Sequence, residues 1–177
     1  MYRTRRLTKW LKRISLIAMV CVSGCAGFYK QPGESSPHAK LQLTRTKYEQ
    51  YATGGLQQFL AYDNAACASA GGEIIETLSV VTADVKQARL PPGQRIFIKA
   101  VTVGFDKMAR SCDDSVGWCL ANSTCANLTS FVPETGKSYS IRHDVTSKSC
   151  GIVLIDQSTN LPPTTTKVEP VAGACKP

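Results

Sequence analysis

Histidine is almost missing: the 177 residues contain two, His38 and His143. That scarcity removes imidazole-built zinc sites, and the His-Glu-x-x-His helix of metalloproteases does not occur. A Gly-x-Ser-x-Gly nucleophile elbow and a phosphate-cradling glycine-rich loop are also lacking. No segment reaches the ~18 consecutive apolar residues of a membrane-spanning helix. Basic charge is lacking where a nucleic-acid binder would need it. The formal charge is +8, but Arg3, Arg5, Arg6, Lys9, Lys12 and Arg13 crowd the first thirteen positions. Without residues 1–24, fifteen basic residues face thirteen acidic ones and form no basic block, so a nucleic-acid partner is excluded.

What the N-terminus does have is the three-part order of an export signal: basic residues to Arg13, an apolar run from Ile14 to Val22, then Ser23 and Gly24. As a helix that nine-residue run spans about 14 Å, roughly half of the ~30 Å hydrocarbon core, so it does not read as a permanent span. Val22-Ser23-Gly24-Cys25 resembles the lipobox of bacterial lipoproteins. The resemblance implies a signal peptide over 1–24, cleavage before Cys25, acylation of the Cys25 thiol and anchoring in the membrane. Two or more acyl chains hold a protein firmly where one holds it marginally. Ala26 stands where an Asp commonly retains such proteins at the inner membrane, which implies the outer membrane, facing the periplasm. The pair Arg5-Arg6 hints at a twin-arginine signal, but Thr8 follows where an apolar residue is expected, so the general secretory route is preferred.

Of eight cysteines, Cys21 lies within the signal and Cys25 is the lipidation candidate. Cys67, Cys112, Cys119, Cys125, Cys150 and Cys175 remain, an even set that implies up to three disulfides in an oxidising compartment. Six cysteines allow about fifteen complete pairings, and sequence does not choose among them. Cys175, near the C-terminus, reads as a staple for a tail that would otherwise fray. Cys112, Cys119 and Cys125 are spaced too widely for a zinc knuckle, with no His nearby, so neither a metal nor another cofactor is expected. Cys150 beside His143 would make a catalytic thiol on paper, but an even cysteine set favours a disulfide.

The mature chain begins with a segment containing Pro32, Gly33, Ser35, Ser36 and Pro37, which reads as a flexible tether over 25–38. A folded domain follows over 39–160, and an extended tail over 161–177. Leu41 and Leu43 alternate with polar residues as in a half-buried strand. Further strands are expected at Leu56–Tyr62, Ile74–Thr82, Val85–Leu90, Ala126–Val132, Ser138–Val145 and Gly151–Asp156. The strongest is Arg95–Gly104, with Ile96, Ile98 and Ala100 on one face and Phe97, Val101 and Val103 on the other, the pattern of a central strand. Lys99 is expected to snorkel toward water. Pro91-Pro92-Gly93 is a turn, and 133–137 (PETGK) reads as a compact hairpin. The sum is an all-β fold: a single antiparallel β-sandwich of about seven or eight strands, stapled by disulfides.

Pro92-Gly93 before Arg95, and Gly136-Lys137 before Tyr139, resemble the turns that mark successive hairpins in small PEGA-like or transthyretin-like lipoprotein sandwiches. That resemblance implies an envelope accessory module and brings no catalytic residues with it.

Individual candidates then sort themselves. His143 lies in Arg142-His143-Asp144 on a strand, where neighbours point to opposite faces. A His–Asp relay is poor there, and a solvent-facing residue is expected. His38 lies in the tether. Asp113-Asp114 lacks the spaced oxygen ligands of a calcium loop. Asn122-Ser123-Thr124 and Asn127-Leu128-Thr129 fit the glycosylation pattern but would stay unmodified in a bacterial periplasm. Trp118, in the cysteine-containing insertion at 105–125, reads either as a partner-binding anchor or as a lid over a disulfide. The function expected is that of a non-enzymatic envelope lipoprotein, an accessory or binding module with an envelope protein as partner. The alternative is a periplasmic inhibitor of a cell-wall hydrolase. A hydrolase using His143 is the third reading.

Overall fold

The computed structural model describes residues 27–46, 56–67, 72–79, 82–105, 122–145 and 149–171. These residues contain strands and no helix: β1 (Gly27–Phe28), β2 (Ala39–Thr44), β3 (Leu56–Tyr62), β4 (Glu73–Leu78), β5 (Val85–Leu90), β6 (Ile96–Phe105), β7 (Asn122–Phe131), β8 (Ser138–Val145), β9 (Cys150–Asp156) and β10 (Lys167–Glu169). They form two packed sheets, a six-stranded one in the order β1-β4-β3-β6-β7-β10 and a four-stranded one in the order β5-β2-β8-β9. The all-β sandwich follows from period-two burial. Ala39, Leu41 and Leu43 of β2 are fully buried while Lys40 is exposed.

The core between the sheets gathers Leu41, Leu43, Phe59, Ile98, Phe131, Tyr139 and Ile141, all 1% exposed or less. Phe131 and Tyr139 meet edge to face with ring centroids 5.0 Å apart. The Tyr139 hydroxyl accepts the Glu134 amide at 3.1 Å, which satisfies the polar tip of an otherwise apolar side chain. β6 is central, pairing with β3 on one side and β7 on the other. Its Ile96, Ile98 and Ala100 enter the main core, and its Phe97 and Val101 join Leu60, Tyr62, Cys67, Leu128 and Val171 in a second cluster on the sheet's outer face.

Several expectations change. The strands number ten among the described residues, and two pairs, β1–β4 and β2–β8, are parallel, so the sandwich is mixed and not wholly antiparallel. The segment read as a tether is held to the domain. Gly27 and Phe28 pair with Glu73 and Ile74, the Tyr29 amide donates to Ile74 O at 3.0 Å, and Gln31 Oε1 accepts the Arg89 amide at 2.9 Å. In the tail, Lys167–Glu169 adds to β7, fastened by Ser130 Oγ donating to Glu169 Oε1 at 2.7 Å. Both strands are short and polar or glycine-containing; tertiary pairing makes them, with no periodic signal of their own.

Residues 133–137 are not a hairpin. β7 pairs with β6 and β10, and β8 pairs with β2 and β9, so the turn carries the chain from one sheet to the other. The Pro91-Pro92-Gly93 turn is likewise a crossover, from β5 to β6. The two crossovers are tied together, since the Gly93 amide donates to Pro133 O at 2.8 Å. Gly93 and Gly136 have φ of 77° and 76°, the left-handed region that such turns need.

Lys99 is also corrected. It is 7% exposed, its neighbours across the sheet are Leu60 and Leu128, and burial holds its ammonium below the ordinary lysine range.

Candidate functional site

Strand directions give the sandwich two distinct ends. At one end lie the starts of β1, β2, β4, β6, β8 and β10 and the last residues of β3, β5, β7 and β9. Lys137 there lies 3.2 Å from both Glu134 and Asp156 carboxylates. Asp156 is held below the usual carboxylate range, first by the Ser158 hydroxyl and amide and then by Lys137. At the opposite end β6 finishes at Phe105 and β7 starts at Asn122, so the insertion leaves and re-enters the fold there. β6 is ten residues long, which separates the two ends by about 30 Å.

Beneath the insertion end, the apolar core gives way to a buried polar layer. On the inner faces, Phe59 is followed toward this end by Gln57, Ala100 by Thr102, and Ile141 by His143. Gln57, Thr102 and His143 are 2%, 4% and 0% exposed. His143 Nδ1 lies 2.7 Å from Thr102 Oγ1, and Nε2 lies 2.8 Å from Asn127 Oδ1. An amide oxygen only accepts, so Nε2 carries a proton, and in the neutral ring Nδ1 then accepts from the threonine hydroxyl. Gln57 Nε2 donates to His143 O at 3.0 Å, and Gln57 Oε1 accepts the Thr46 amide at 3.1 Å. Every partner suits a neutral ring. Burial pushes the His143 pKa down to about 4, against a smaller upward pull from Asp144.

The same end is crossed by a covalent tie. Cys125 of β7 and Cys150 of β9 form a disulfide between the sheets, with Cα atoms 6.3 Å apart. Cys125 stands opposite Thr102 and Cys150 opposite Val145, so the bridge borders the polar layer. On the rim, Arg45 is 4% exposed in its side chain and meets Asp84 at 2.7 Å. Thr46 Oγ1 donates to Asp144 Oδ1 at 3.0 Å. The result is a stiff base from which the insertion stems emerge.

The remaining site residues fall as follows. Cys67 is buried at 3% exposure and disulfide-bonded, with a partner beyond the described residues. Cys25, Cys112, Trp118, Cys119, Cys175 and the Asp113-Asp114 pair also lie outside the described residues. His143 is a correction: it faces the core, not solvent. Both ring nitrogens are engaged inside the protein, so the hydrolase reading loses its base. The signal was present in the sequence, because Tyr139, Ile141 and Val145 are the apolar positions of the same alternating face. Among the described residues no cluster of three or more His, Cys, Asp or Glu is placed to hold a metal ion.

At the other end, a recess of about 130 Å³ is lined by Tyr29, Tyr62, Asp63, Glu73 and Arg95. It is smaller than the ~300 Å³ at which ligand pockets begin. Tyr29 is pushed up to about 12, by burial first and then by the Glu73 charge. No family model matches the chain, and neither a curated protein nor a solved structure matches it.

Proposed function

We propose that the chain is a lipoprotein of the bacterial outer membrane, acylated at Cys25, facing the periplasm and acting as a binding module for an envelope protein. The observation that carries this reading is the opposition of the two ends. Cys25 precedes β1 by two residues, at the end where β1 starts, whereas Phe105 and Asn122 open the insertion at the other. An anchor at Cys25 would therefore attach at the end opposite to the one where the chain leaves β6 and enters β7. The disulfide between Cys125 and Cys150 supports an oxidising compartment and stiffens the base of the insertion.

Trp118 is the contact residue of this proposal. An aromatic side chain supplies a large contact area at low conformational cost on association. The test is crosslinking and capture of envelope proteins by the acylated protein and by Trp118→Ala. Weakened capture at unchanged folded yield supports the assignment, and unchanged capture overturns it.

A further inference from the structure

Phe28 is 85% exposed, on the edge strand of the six-stranded sheet. Its exposure is fixed by the fold: Gly27 and Phe28 are in register with Glu73 and Ile74, and the Tyr29 amide is bonded to Ile74 O. The chain is thus held to the sheet as far back as Gly27. Cys25 stands two residues earlier, and two Cα–Cα steps span at most ~7.6 Å. An acylated Cys25 would hold Gly27 within about 8 Å of its lipid, with no length of free chain between anchor and domain.

We propose that the β1 edge is a membrane-contact surface, with Phe28 covered by the lipid interface. This rests on the acylation of Cys25 proposed above. The occupant is set by distance, because whatever lipid holds Cys25 also adjoins Phe28. Lys30, exposed and two residues beyond Phe28, supplies a positive charge toward anionic headgroups, while Glu73 opposite Gly27 keeps the strip from burying deeply. One exposed ring flanked by charge is the composition of an interfacial segment. The domain accordingly rests on the bilayer by its β1 edge and does not hang from a tether.

The experiment uses the protein as extracted from bacterial membranes, in a Trp118→Phe background, reconstituted into phosphatidylcholine–phosphatidylglycerol vesicles with brominated acyl chains. Phe28→Trp is the probe, and Val85→Trp, at the insertion end of β5, is the control. Bromine quenching should lower the fluorescence of F28W about two-fold or more and leave V85W nearly unchanged. An intact mass of the same sample reports acylation. Acylated protein with F28W unquenched overturns the contact surface and leaves the anchor standing. A mass without acyl chains overturns both.

Discussion

His143 Nε2 lies 2.8 Å from Asn127 Oδ1, bridging the four-stranded sheet to the six-stranded one. Together with Thr102 on the other ring nitrogen, this contact replaces apolar packing at the insertion end. Both partners suit a neutral imidazole, and burial disfavours a charged one.

A pH dependence follows. The folded pKa of His143 is lowered from 6.5 to about 4, so between those values the unfolded chain binds the proton more readily. The associated stability is complete above pH 6.5, declines as pH falls toward 4 and is fully lost below it. The loss should be about 3 kcal/mol. Urea midpoints across this window should fall for the native protein. In His143→Gln the fall should be much flatter, and an equal fall in both would assign it to other groups.

The Cys125–Cys150 bridge closes a sequence separation of 25 residues between the two sheets. Replacing both cysteines by serine should lower stability by about 3 kcal/mol, chiefly by freeing the unfolded chain. Equilibrium denaturation of the double variant checks this. A change below about 1 kcal/mol would mean that the packing of β7 on β9 holds this end without the bridge.

Cys67 shares its cluster with Val171, four residues before Cys175. We expect Cys67 to pair with Cys175, which leaves Cys112 and Cys119 to each other within the insertion. Non-reducing peptide mapping should recover a Cys67–Cys175 link. A link from Cys67 to Cys112 or Cys119 would refute the assignment.

Phe59 is fully buried at the centre of the main core. Phe59→Ala should destabilise the fold by about 3–5 kcal/mol, the range for emptying an aromatic site. Leu56→Ala, on the same strand but 37% exposed, should change stability by less than about 1 kcal/mol. Thermal or urea melts distinguish the two.

Much of this fold was legible in the sequence because one-sided burial writes a period of two. Leu41 and Leu43 mark β2, and the two apolar faces of β6 announce a central strand. The bounds of β3, β5 and β8 coincide with the runs Leu56–Tyr62, Val85–Leu90 and Ser138–Val145. Pairing was not legible. The left-handed glycines at 93 and 136 serve a sheet-to-sheet crossover as well as a hairpin, so turn chemistry alone cannot tell the two apart. β1 and β10 carry no pattern, being created by an available sheet edge. The polarity of His143 argues for solvent, whereas its position in the alternation of Tyr139, Ile141 and Val145 faces it inward, and position decides. At the candidate site, Trp118 was visible only as a residue type in a cysteine-framed loop. The brace beneath that loop, built by His143, Gln57 and Thr102, needed three strands distant in sequence to come together.

An intact non-reducing mass of the protein extracted from bacterial membranes reports at once on an acyl anchor at Cys25 and on the disulfides of the domain. The expected chain begins at Cys25, heavier by its acyl chains and lighter by two hydrogens for each disulfide. A chain without acyl groups would contradict it and make this a soluble secreted protein, with inhibition of a cell-wall hydrolase the next activity to assay.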